Sequence, residues 1–105
     1  MLKSNGNTII MTENDFGLEM PVTVEGLTLT ALDTLKFVFK DAVNGNDILV
    51  KEYTPSNNAV VLEFSESESG LFAVGNYVYR LDWYQSGQFM CNLIPVGIFR
   101  VVDKA

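Results

Sequence analysis

Along most of this chain apolar and polar residues alternate with period two, in short runs rich in β-branched and aromatic side chains separated by Gly, Asn, Ser and Pro. Such a pattern predicts strands. Thr8 to Met11 opens the series and Asn14-Asp15-Phe16-Gly17 breaks it. From Leu18 onward Leu18, Met20, Val22 and Val24 fall on one face, with Glu19, Thr23 and Glu25 on the other. Pro21 lies on the polar side, which suits an edge strand because proline donates no ladder hydrogen bond. In Thr34 to Lys40, Leu35, Phe37 and Phe39 oppose Lys36, Val38 and Lys40. The Asn44-Gly45 pair predicts a tight hairpin with positive φ at both residues, returning through Ile48 to Tyr53. A second turn at Thr54 to Asn58 leads into Ala59 to Phe64. The Ser-x-x-Glu spacing of Ser65 and Glu68 predicts a capping box and a single helical turn. Tyr77 to Tyr84 is the most strand-like run, Gln85-Ser86-Gly87 a tight hairpin, and Phe89 to Ile94 and Val96 to Val102 close the series as a last strand or a pair, interrupted at Pro95-Gly97.

About seven strands with frequent turns and one helical turn indicate an all-β fold, an antiparallel β-sandwich in one domain spanning residues 1–105. A small closed barrel is the alternative. Gly75-Asn76-Tyr77 has the form of a tyrosine corner, in which Tyr77 at the start of a late strand bonds back to the preceding connection. Trp83 shares its parity with Tyr77, Tyr79 and Leu81 and is expected in the core. Tyr84, on the opposite parity, and Phe89 across the hairpin are the candidate binding residues. Aromatic area beside amides suits stacking on sugar rings or a protein interface.

Composition then narrows the chemistry. The chain has no histidine, which removes imidazole bases, Ser-His and Cys-His pairs and histidine metal ligands, and no enzyme activity is expected. The single Cys91 has no basic neighbour and is expected as a small buried side chain. Asp41 to Asp47 gathers oxygen ligands around a glycine, but the spacing and closing glutamate of a calcium loop are absent. It is expected to be an ordinary turn, and Glu63, Glu66 and Glu68 are expected on a solvated one. No metal or cofactor is expected. A formal charge of −6 opposes nucleic acid and anionic lipid as partners. The opening residues carry one positive charge and then polar residues where a secretory leader needs about 7–15 apolar ones. The apolar run Leu93 to Phe99 is far short of the roughly 20 residues that span a bilayer. Synthesis in the cytoplasm is therefore expected, without a signal peptide and without a membrane partner.

The order of these elements resembles the small immunoglobulin-like domains of phage and prophage virions, notably the amino-terminal domain of baseplate upper proteins. The residues that carry the resemblance are the break at Asn14-Asp15-Phe16, the strand Leu35 to Phe39, the charged strand Ile48 to Tyr53 and the Val60 to Phe64 strand entering a Ser/Glu-rich turn. Leu71-Phe-Ala-Val-Gly75-Asn-Tyr77-Val-Tyr79 and the closing Gly97 to Val101 complete it. The resemblance implies an immunoglobulin-like sandwich and a non-enzymatic structural protein of a baseplate, tail or decoration. Its partners would be other virion proteins or copies of itself. A carbohydrate- or cell-surface-binding module acting through Tyr84 and Phe89 is the alternative expectation.

Overall fold

The computed structural model describes residues 2–17 and 19–103, so the expectation for Leu18 lies outside the described residues. Eight strands and one short helix follow in the order β1 (Leu2–Asn5), β2 (Thr8–Thr12), β3 (Glu19–Thr23), β4 (Asp33–Lys40), β5 (Asp47–Tyr53), β6 (Ala59–Glu63), α1 (Glu66–Ser69), β7 (Gly75–Gln85) and β8 (Gln88–Val102). They form a six-stranded sheet in the order β1-β2-β8-β7-β4-β5 and a two-stranded sheet β3-β6. The fold is all-β, and its two ladders are separate, which departs from a closed barrel.

One expectation about the sheet is corrected. The ladder is not antiparallel throughout, because β2 runs parallel to β8 with Ile9 opposite Phe99 and Met11 opposite Val101. Parallel neighbours need a crossover connection, and here everything from β3 to β7 serves as one. Ahead of the predicted series, β1 folds back on β2 with Leu2 opposite Met11. Of the two alternatives for the last segment, the structure has the single strand, with an irregularity at Pro95-Val96 between the Tyr79–Gly97 and Leu81–Ile94 pairs. β8 runs through Pro95 and Gly97, with extra residues in β8 shifting its register against β7, and β2 pairs with β8 only from Ile98 onward. On the side away from β7, Pro95 therefore faces an open edge, where a missing N–H is tolerated.

Alternation in the strands places Ile9, Met11, Leu35, Phe37, Phe39, Tyr79, Leu81, Phe99 and Val101 on the inner face of the large sheet. Met20, Val60, Leu62, Phe64 and Phe72 close over them. The ring cluster is tight: Phe39 lies 5.0 Å from Phe99 and Phe72 lies 4.9 Å from Phe99 between centroids. The Tyr79 hydroxyl donates to the Asn7 carbonyl at 2.9 Å, and burial pushes its pKa up to about 12. Gly97 opposes Tyr79 in the ladder, and a Cβ there would come within 2.3 Å of the Tyr79 ring. Two strands cannot cover six, and a recess of about 250 Å³ remains where β3 stands away from Ile9, Phe37 and Ile94.

The turns follow their side chains. At Asn44-Gly45 neither residue has positive φ, contrary to the hairpin expectation. Asp41 instead accepts from the Asn46 amide at 2.9 Å and draws the chain into a wider turn closed by Gly45 N–H to the Ala42 carbonyl. The two-residue turn with positive φ occurs at Asn57-Asn58, and again at Ser86-Gly87. The Asn58 side chain also bonds Leu29 N–H and the carbonyls of Val24 and Leu27, pinning the β3–β4 connection. The Ser65–Glu68 capping box is formed in both directions. Lys51, on the inner side of edge strand β5, bonds the Glu63 carbonyl and reaches Glu68 Oε1 at 2.8 Å. Burial works against its charge, but the Glu68 carboxylate and the Tyr53 hydroxyl together outweigh that and raise its pKa. An inward-pointing charge of this kind discourages pairing along an exposed strand edge.

Candidate functional site: the outer face of the six-stranded sheet

The strand positions that do not enter the core assemble on the other face of the large sheet. β4 contributes Thr34, Lys36, Val38 and Lys40; β7 contributes Val78, Arg80, Asp82 and Tyr84; β8 adds Ile98 and Arg100; β5 adds Val50 and Glu52. No strand of the two-stranded sheet covers this side. Val38 and Asp82 are nevertheless only 1% and 2% exposed. Lys36 and Lys40 flank Val38 along the strand and Arg80 stands opposite it. Long basic side chains cover apolar surface with their stems while their charged ends stay in water.

Asp82 organises the centre. Arg80 Nε donates to its Oδ2 at 2.8 Å and Asn92 Nδ2 to its Oδ1 at 2.6 Å. The hydrogen bond to Asp82 raises the pKa of the Arg80 guanidinium. Lys36 Nζ stands 3.8 Å from Glu52 and 5.5 Å above the Tyr84 ring, and Lys40 stands 3.9 Å from Asp47. Arg100 Nε donates to Asn76 Oδ1 at 3.2 Å. Four of the seven basic residues of an acidic chain thus lie on one face.

The structure brings Tyr84 and Phe89 together: they are cross-strand partners with rings 5.6 Å apart at 70°, and Phe89 is 52% exposed. Beside Tyr84 lies an open recess of about 240 Å³ lined also by Thr34, Lys36, Glu52 and Gly87. A smaller one, about 40 Å³, lies among Lys40, Val43, Val78, Arg80, Pro95 and Val96. Trp83 belongs to the other parity and is half-buried against the core, its indole N–H donating to Asp33 Oδ1 at 2.9 Å. Asp33 is buried and also accepts from Thr30 N–H at 2.7 Å; that bond first, then the indole, lowers its pKa. Tyr77 is away from this face. Its hydroxyl donates to the Ala73 carbonyl, four residues upstream, at 2.8 Å from a half-exposed position.

Cys91 is exposed, which corrects the expectation of a buried thiol. Its segment, Gln88 to Asn92, is the projecting arm of the β7–β8 hairpin, beyond the reach of the two-stranded sheet, so alternate residues there have no core to enter. Periodicity alone passes over Lys36, Arg80, Asp82, Asn92 and Arg100, although the polar parity of β4, β7 and β8 marks four of them. Asn92 follows the register shifts opposite β7, which no simple alternation reveals. Among the described residues no group of three or more Cys, Asp or Glu is gathered to hold a metal ion, and no helix is long and apolar enough to cross a membrane. Comparison with protein-family models, curated proteins and solved structures gives no match to this chain.

Proposed function

We propose that this chain is a non-enzymatic assembly domain of immunoglobulin-like type, a phage or prophage structural protein of a baseplate, tail or decoration. In this role the outer face of its six-stranded sheet makes the protein–protein contacts. The observation that carries the proposal is that face itself: Val50, Val78 and Ile98 among four cations and the carboxylates of Glu52 and Asp82, with nothing of the domain's second sheet laid over it. A layered domain buries one side of each sheet, and a broad second side mixing apolar and basic groups is suited to a partner. The immunoglobulin-like assignment draws support from the order β2-β8-β7-β4-β5 facing β3-β6, and from the Tyr77–Ala73 bond at the corner before β7. The resemblance from Asn14 to Val101 supplies the virion setting.

The test is mass spectrometry of particles purified from the producing host, with crosslinking to identify neighbours. Recovery of the chain crosslinked through Lys36 or Lys40 is the expected outcome. Its absence from such particles would overturn the virion role. A second reading, a carbohydrate-binding module, is favoured by the Tyr84–Phe89 pair beside the recess with Thr34, Lys36 and Glu52. It requires a glycan that binds the native chain and is lost in Tyr84→Ala; a flat response across a broad glycan array removes it.

A further inference from the structure

We infer that copies of this chain stack head to tail, the outer face of the two-stranded sheet of one copy seated on the outer face of the six-stranded sheet of the next. The inference rests on the assembly role proposed above and names a partner for it, a second copy of the chain.

The register of β3 and β6 fixes what the small sheet shows to solvent. Met20, Val60 and Leu62 turn into the core, leaving Glu19 opposite Glu63, Pro21 opposite Val61 and Thr23 opposite Ala59. Glu19, Glu63 and Val61 are all exposed. Like charges directly across a ladder repel, and among the described residues neither carboxylate has an ion-pair partner. Elsewhere Glu52, Asp47, Glu68 and Asp82 each have a Lys or Arg within 3.9 Å. The opposite side of the sandwich has a cation to spare: among the described residues Arg100 has no carboxylate partner and donates to Asn76, and the Lys36 and Lys40 pairs are held at the long end of ion-pair distance.

Two-fold pairing would set basic face against basic face, or Glu19 and Glu63 against their own copies. Opposite faces in contact bring unlike charges together and set the apolar Pro21 and Val61 over Val78 and Ile98. Such a contact is heterologous and propagates. Sheets pack about 10 Å apart, so sandwiches stacked this way repeat at roughly 20 Å. The small-sheet face is five residues long and two strands wide, well under the ~800 Å² per partner of a stable pair. The contact is consequently weak, dependent on salt, and populated where copies are already concentrated.

The test is sedimentation of the full chain over a concentration series at low salt and at about 1 M salt, where screening acts within ~3 Å. The expected result is a mass that rises with concentration at low salt and returns to monomer at high salt. Glu19→Lys/Glu63→Lys and Lys36→Glu/Arg100→Glu should each lose the rise, and their equimolar mixture should regain it. Circular dichroism and thermal unfolding establish that each variant is folded. A monomer at every concentration, association that ignores salt, or a mixture that stays monomeric overturns the stacking. If the chain is monomeric yet recovered in purified particles, the assembly role stands and the stacking falls. Salt-sensitive stacking without recovery in particles has the reverse meaning.

Discussion

The two faces of the six-stranded sheet are made from the same strands by alternate residues, yet one is sealed and the other bare. Phe37 and Phe39 point under the two-stranded sheet, whereas their neighbours Lys36, Val38 and Lys40 point away from it. Both parities reach burial below 2% exposure, at Phe39 and at Val38. On the inner side a second layer supplies it, and on the outer side the neighbouring side chains of the same sheet do. Burial in itself therefore does not distinguish the core from the outer face. What distinguishes them is whether another layer of the same domain lies above.

Substitutions on the two faces should separate stability from association. Phe39→Ala, which empties the centre of the ring cluster, should cost about 3–5 kcal/mol in denaturant unfolding. A loss below about 1 kcal/mol would place the core elsewhere. Gly97→Ala forces a methyl into the Tyr79 ring and the Asn7 carbonyl and should cost about 1–3 kcal/mol; wild-type stability would show that the β8–Tyr79 approach is looser than described.

The pH limits of stability belong to the same inner side. Tyr79 resists ionisation when folded, so its contribution is complete below about pH 10 and is lost as pH rises toward 12. Tyr79→Phe should flatten that alkaline limb. Asp33 has the opposite sign: its lowered pKa favours the folded state above about pH 4, and the benefit disappears as pH falls through the folded value. Asp33→Asn should blunt the acid transition, and an unchanged acid midpoint would exclude the Thr30 and Trp83 bonds as its source.

Smaller effects mark the periphery. Tyr77→Phe removes one half-exposed hydrogen bond and should cost about 0.5–1.5 kcal/mol. Arg100→Glu, on the bare face, should move unfolding by no more than about 0.5 kcal/mol while abolishing association. A large stability loss at Arg100 would make that face structural.

Alternation makes the strands legible, because one covered face imposes period two on each of them. Phe37, Phe39, Leu81 and Val60 could thus be assigned to the core from spacing alone. Spacing does not reveal what depends on a second layer's reach. Cys91 lies in a strand of ordinary composition, and only the shortness of β3 and β6 leaves it exposed. The parallel pairing of β2 with β8 is likewise invisible locally, since it joins the two ends of the chain. At the candidate site Tyr84 and Phe89 were legible as hairpin partners. The polar centre formed by Asp82 was not, because Asn92 reaches it through register shifts in β8.

The most direct test of the outer face as the interaction surface is an amide chemical-shift map of the full chain at low salt as its concentration rises. Shifts should concentrate at Lys36, Val78, Arg80, Ile98 and Arg100, matched on the two-stranded sheet by Glu19, Val61 and Glu63. Shifts confined to the β5 edge or to the Gln85 to Phe89 turn, with those residues silent, would contradict it.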